Sequence, residues 1–140
     1  MIILVIHFYQ GVRVYAKDYL YPFSAAKETA QFIKDKGLED MLIAGDPDCA
    51  VSSIAGYLDK KIYYPREGRF ATYAQWDDKR QKWYDLNRLK EEPVLQKKRS
   101  LLILNENLKA PPGYMVKVEE FTRAMVPDEK YYLYILNLEN

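Results

Sequence analysis

Met41-Leu42-Ile43-Ala44-Gly45-Asp46-Pro47-Asp48-Cys49-Ala50-Val51-Ser52-Ser53-Ile54-Ala55-Gly56-Tyr57-Leu58 is the stretch whose reading decides the fold. Its four opening residues, Met41 to Ala44, are all apolar, which suits a strand covered on both faces rather than one that alternates between core and water. Gly45 offers a turn, Asp46 is a good N-cap, and Pro47 suits a first helical position, where a missing N–H costs nothing. Val51, Ile54, Ala55 and Leu58 then fall on one face of a helix. The segment reads as a strand–turn–helix unit of an α/β domain.

The flanking sequence extends the pattern. Upstream, Ser24 is placed to cap a helix over 25–36, with Ala26, Ala30 and Ile33 as its apolar stripe and Gly37 where a left-handed residue ends it. Downstream, Ile62-Tyr63-Tyr64 reads as a short strand stopped by Pro65, and 66–69 as a turn. Residues 70–76 read as extended and partly exposed. A third helix is expected from Asp77 or Asp78 to about Leu89, with Trp83, Leu86 and Leu89 on one face and Pro93 ending it. Ser100 to Leu104 is another continuous apolar strand. Beyond the Pro111-Pro112-Gly113 turn, Met115 to Phe121 and Tyr131 to Leu138 read as strands of a hairpin joined through Pro127-Asp128-Glu129. The expected fold is α/β: a three-layer, Rossmann-like domain with a mainly parallel sheet and a C-terminal antiparallel hairpin. Residues 1–20 form a hydrophobic lead, and 21–140 a single domain.

Composition bounds the chemistry. The 140 residues are 49% hydrophobic and 29% charged, the balance of a globular chain that can bury a core. Net charge is +1, which argues against nucleic acid as the main partner. One cysteine, Cys49, allows neither an internal disulfide nor a cysteine-based metal cluster. With His7 the one histidine, a histidine-rich metal site or a Ser-His-Asp triad is not expected. Thirteen tyrosines suit wet apolar surfaces and interfaces, where the ring packs and the hydroxyl stays hydrated.

Met1 to Tyr9 is almost wholly apolar, yet short of the ~20 residues a membrane span needs, and it lacks the marks of a signal peptide. It is either a buried element of the domain or the last two turns of a membrane helix, with Gly11 to Tyr21 as its interfacial continuation. His7 lies within this run and reads as packed or interfacial.

Parallel sheets bind ligands beyond the carboxyl ends of their strands, here 45–48, 64–66 and 105–107. Asp46 and Asp48 could pair on a divalent cation, as in a small phosphatase-like or sugar-transferase-like enzyme with Arg66 as an anion contact. A phosphate at the helix N-terminus would meet both carboxylates and no Gly-x-Gly-x-x-Gly. The simplest role for the two is to stabilise that N-terminus. Cys49 follows them and reads as buried and inert. Tyr64, Arg66, Arg69, Tyr73 and Trp76 form a second candidate, since aromatics interleaved with arginine can stack on sugar rings, bases or headgroups.

Tyr21-Pro22-Phe23-Ser24-Ala25-Ala26-Lys27 behind a hydrophobic segment, Leu42 to Asp48, Ala55 to Leu58 and Ile62 to Pro65 together carry a resemblance. Over roughly Tyr21 to Trp76 the chain resembles the soluble C-terminal part of bacterial polytopic membrane glycosyltransferases of the protein mannosyltransferase kind. In that family the catalytic carboxylate lies far upstream, in the first extracytoplasmic loop, so no catalytic residue and no cofactor carries over. The resemblance implies a membrane-helix remnant at Met1 to Tyr9 and an extracytoplasmic accessory domain. Its implied partners are the rest of a membrane protein and a lipid-linked sugar or glycan.

Overall fold

The computed structural model describes residues 2–76, 85–96 and 98–138. Among them is one mixed sheet of six strands: β1 (Leu42–Asp46), β2 (Ile62–Tyr64), β3 (Arg69–Ala71), β4 (Ser100–Leu104), β5 (Met115–Phe121) and β6 (Tyr131–Leu136). Its order is β3-β2-β1-β4-β6-β5. β1 runs parallel to β2 and β4, whereas β2–β3, β4–β6 and β5–β6 are antiparallel. The α/β class and the terminal antiparallel pair are as expected; a mainly parallel sheet is not. Two antiparallel pairings account for the difference. Arg69–Ala71, where the expected turn gives way to the partly exposed extended segment, folds back on β2, and β6 inserts between β4 and β5.

The continuous apolar strands are covered on both faces. Ile43, Leu101, Ile103, Leu133 and Ile135 meet the stripes of α2 (Ala26–Asp35) and α3 (Asp48–Leu58). Ala44, Leu102, Leu104, Tyr134 and Leu136 pack on the other face with Leu89 and Leu95. These last two come from a 3-10 helix, Leu86–Glu91, and from the short α4 (Pro93–Gln96). Tyr63 ties β2 to this layer, its hydroxyl donating to Glu92 Oε2 at 2.5 Å. The helix expected to start at Asp77 or Asp78 lies largely outside the described residues, as does Trp83. Pro93 opens a helical turn rather than only ending one.

α2 keeps its expected signals. Ser24 Oγ accepts from the Ala26 amide at 3.0 Å, and Gly37 adopts a φ of 63° beyond the last turn. The β1–α3 turn differs from expectation. Gly45 stays in the strand, where a Cβ would stand 2.5 Å from Cγ1 of Val51; the glycine serves close helix–strand packing, not a turn. Asp46 ends the strand, Pro47 precedes the helix, and Asp48 is its first residue. Asp46 does not cap α3, because its carboxylate is bound by Arg66 instead.

α1 (Ile2–Leu20) projects with every described side chain exposed. Ile2 to Ile6 are 53–77% exposed, and Phe8 and Tyr9 are exposed as well. The hydrophobic lead is thus a helix and no part of the domain's core. Among the described residues, no helix is long and apolar enough to cross a membrane.

Candidate functional site

The chain leaves β1 toward β2 and returns on the other side of β1 as β4, so the β1/β4 boundary is the topological switch point of the parallel strands. A crevice of about 280 Å³ lies there, between Pro47, Cys49 and Ala50 at the start of α3, Asn105 after β4, and the β5–β6 connection at Val126, Asp128 and Glu129. The Tyr131 hydroxyl lies close by, 2.6 Å from Glu129 Oε2, 2.8 Å from the Ala50 carbonyl and near the Ser24 and Ser53 hydroxyls. Burial, then the bond to Glu129, pushes its pKa up, so the phenol stays protonated and donates. Cys49 is exposed at this crevice, contrary to the buried cysteine expected; it points outward from the first turn of α3 while Ala50 and Val51 face inward.

On the other side of β1, a chain of charges links strand ends. Arg66 Nε and Nη2 donate to Asp46 Oδ1 and Oδ2 at 2.5 and 3.0 Å, a two-pronged bond in a largely buried setting. Asp48, fully buried, accepts from the Cys49 amide at 2.8 Å and shares a hydrogen bond with Glu67. Glu67 in turn faces Arg69, with Oε2 and Nη2 at 2.5 Å, and accepts from the Gln75 amide at 3.0 Å. The Asp46–Asp48 pair weighed as a metal site therefore splits between two partners. Among the described residues, no group of three or more His, Cys, Asp or Glu could hold a metal ion.

Burial raises the Glu67 pKa above its ordinary 4.5, and the bond to Asp48 with that carboxylate's charge raises it further. The Gln75 amide and Arg69 oppose the shift. A raised carboxyl pKa stabilises the fold fully below the unfolded value and loses that contribution as pH climbs through the folded one. The contribution of Glu67 to stability should therefore fall as pH rises from 4.5, and Glu67→Gln, which cannot ionise, should lose less stability than the wild type over that rise, in urea midpoints measured across pH. An equal loss would place the shared proton elsewhere.

Glu67 also organises the exposed edge. Arg69 stands over the Tyr73 ring at 5.5 Å from its centroid, Phe70 packs on Tyr63 at 5.2 Å, and Tyr73 and Trp76 are 62% and 75% exposed. Of the five aromatic and arginine candidates, Arg69 and Tyr73 meet on this surface, and Trp76 is exposed three residues further along the chain. Tyr64 is not part of it: it is wholly buried in the core beneath α3, and Arg66 is spent on Asp46.

The chain matches no family model, no curated protein and no solved structure.

Sequence reasoning missed Glu67, Glu129 and Arg123. Charges paired across separate elements leave no periodic trace. One signal was available for Glu67: Asp48 and Glu67 both follow strands that pair in parallel, so their ends must be neighbours. Arg123 donates through Nε and Nη2 to the Leu20 carbonyl at 3.0 and 2.9 Å, closing the C-terminus of α1. A wider hollow, about 540 Å³, runs along α2 beside Phe32 and Phe121.

Proposed function

We propose that this chain is a non-catalytic accessory domain of a membrane glycosyltransferase-like protein. α1 carries it at the extracytoplasmic surface, and it supports the binding of a lipid-linked sugar, a glycan or a protein partner there. The finer fold reading, a three-layer Rossmann-like plan with α2 and α3 on one face and the 86–96 segment on the other, belongs to this proposal.

One observation carries it. Ile2 to Ile6 advance about 100° per residue and so surround the helix axis, and all are exposed. A protein partner would cover one stripe of such a helix; hydrocarbon covers it on every side. From Ile2 to Val12 the helix rises about 15 Å, one leaflet's depth of hydrocarbon. Beyond that stretch, Tyr15 and Tyr19 with Arg13 and Lys17 suit the headgroup level, where amphipathic rings and long basic side chains settle. Arg69 stacked on the exposed Tyr73 ring supplies a surface of the kind a sugar ring takes, with the exposed Trp76 three residues on.

In vesicle flotation the chain should rise with the lipid, and the double variant Ile3→Asp, Ile6→Asp should not. Each aspartate placed in hydrocarbon costs roughly 2.5–3.5 kcal/mol, so with two of them partitioning should weaken on the order of ten-thousandfold. Both positions are exposed, so the thermal midpoint should stay put. Equal flotation of both proteins would remove the membrane reading.

A further inference from the structure

The end of α1 is not a loose tether. Besides the Arg123 bonds to the Leu20 carbonyl, the Met125 amide donates to the Pro22 carbonyl at 2.9 Å, the Val126 amide to Phe23 at 3.4 Å, and the Ala25 amide to the Glu129 carbonyl at 3.0 Å. Residues 20–25 are thereby fastened along the β5–β6 connection, so the helix leaves the domain through a bonded joint. Around that joint the apolar surface does not stop. Leu20, Tyr21 and Phe23 are 52–61% exposed, and Met125, bonded to Pro22 through its backbone, is 41% exposed.

Leu20, Tyr21 and Phe23 follow directly on α1, one to two turns beyond Arg13 and Lys17, on the outer side of the headgroup level those two occupy. Tyr, Phe and Met beside an arginine is the composition that settles at a bilayer interface, where rings sit among headgroups and a guanidinium meets phosphate. We infer that Tyr21, Phe23 and Met125, with Arg123 among them, form a second lipid contact at headgroup depth, which seats the sheet domain on the bilayer in one orientation. The inference rests on the membrane reading of α1 and adds to it: an anchor alone would leave the domain free to swing.

The test uses the full chain carrying Cys49→Ser, with single cysteines placed by Phe23→Cys, Met125→Cys or Tyr57→Cys and labelled with an environment-sensitive fluorophore. Position 57 is exposed at the end of α3 opposite Ala50, on the far side from the joint. Vesicles contain three parts phosphatidylcholine to one part phosphatidylglycerol, with a headgroup-level or mid-chain quencher. Labels at 23 and 125 should shift to the blue and be quenched several-fold more strongly by the headgroup-level quencher than the label at 57. If the chain floats with vesicles but the three labels behave alike, the anchor stands and the second contact is overturned. If the chain does not float, the membrane reading falls and this inference with it.

Discussion

Replacing Leu102 by alanine is expected to lower the unfolding free energy by about 2–5 kcal/mol, the usual result of truncating a fully buried leucine. Leu102 has no solvent exposure and sits in β4, between β1 and β6 in the middle of the sheet. Its partners are Ala44 on one side and Tyr134 on the other. On its face of the sheet it packs among Leu89, Leu95 and Leu136. Backbone hydrogen bonds to strands on both sides hold β4 in place and hinder collapse onto the void, which keeps the cost toward the upper part of that range. Chemical denaturation monitored by the tyrosine and tryptophan signal reads the change directly. A loss below about 1 kcal/mol would mean that β4 is peripheral.

The second large effect belongs to Arg66→Ala. The substitution leaves the Asp46 carboxylate, on a residue 7% exposed, without the guanidinium that binds both its oxygens. Removing one partner of a buried ion pair costs more than the pair contributes, because the remaining charge stays desolvated. Arg66 keeps 16% of its side-chain surface, so water relieves part of the penalty, and a loss of about 2–4 kcal/mol is expected. Arg66→Lys should recover only a fraction, since an ammonium cannot reproduce the two-pronged geometry. The double variant Asp46→Asn, Arg66→Ala should be more stable than Arg66→Ala alone, because no bare charge remains. If Arg66→Ala instead leaves stability untouched while abolishing the binding of an anionic ligand, the arginine is a ligand contact rather than a strut.

Most of the sheet was legible in the sequence because its strands are short, wholly apolar runs. Leu42 to Ala44, Ile62 to Tyr64 and Ser100 to Leu104 carry no polar residue that a one-faced strand would require beyond the terminal Ser100, and all are covered on both faces. β3 was not legible. Arg69–Ala71 is three residues long, and its side chains give no alternation to detect. The β1–α3 turn misled for a different reason. Gly45, Asp46 and Pro47 are turn and cap residues by propensity, yet contacts made elsewhere in the fold decide all three positions: Val51 presses on Gly45, and Arg66 takes Asp46. Cys49 was misjudged because a helix position alone does not say which way a side chain points until the partner face is known. The site was legible only as a set of strand ends. That Asp48 meets Glu67, that Glu67 holds Arg69, and that Glu129 closes the crevice follow from strand order, which local sequence does not contain.

α1 is the element on which the functional reading turns, and its contribution can be separated from the fold. Its side chains are exposed, and its side-chain tie to the sheet domain runs from Arg123 to the Leu20 carbonyl, at an exposed position. Removing residues 1–20 therefore takes away little buried surface, at a scale where about 25 cal/mol is lost for each Å² of apolar burial. The most direct measurement compares the chain beginning at Tyr21 with the full chain, by thermal unfolding and by vesicle flotation on the same preparations. The shortened chain should unfold within a few degrees of the full chain and remain at the bottom of the gradient, while the full chain floats with the lipid. A shortened chain that is unfolded, or a full chain that does not float, would contradict the account.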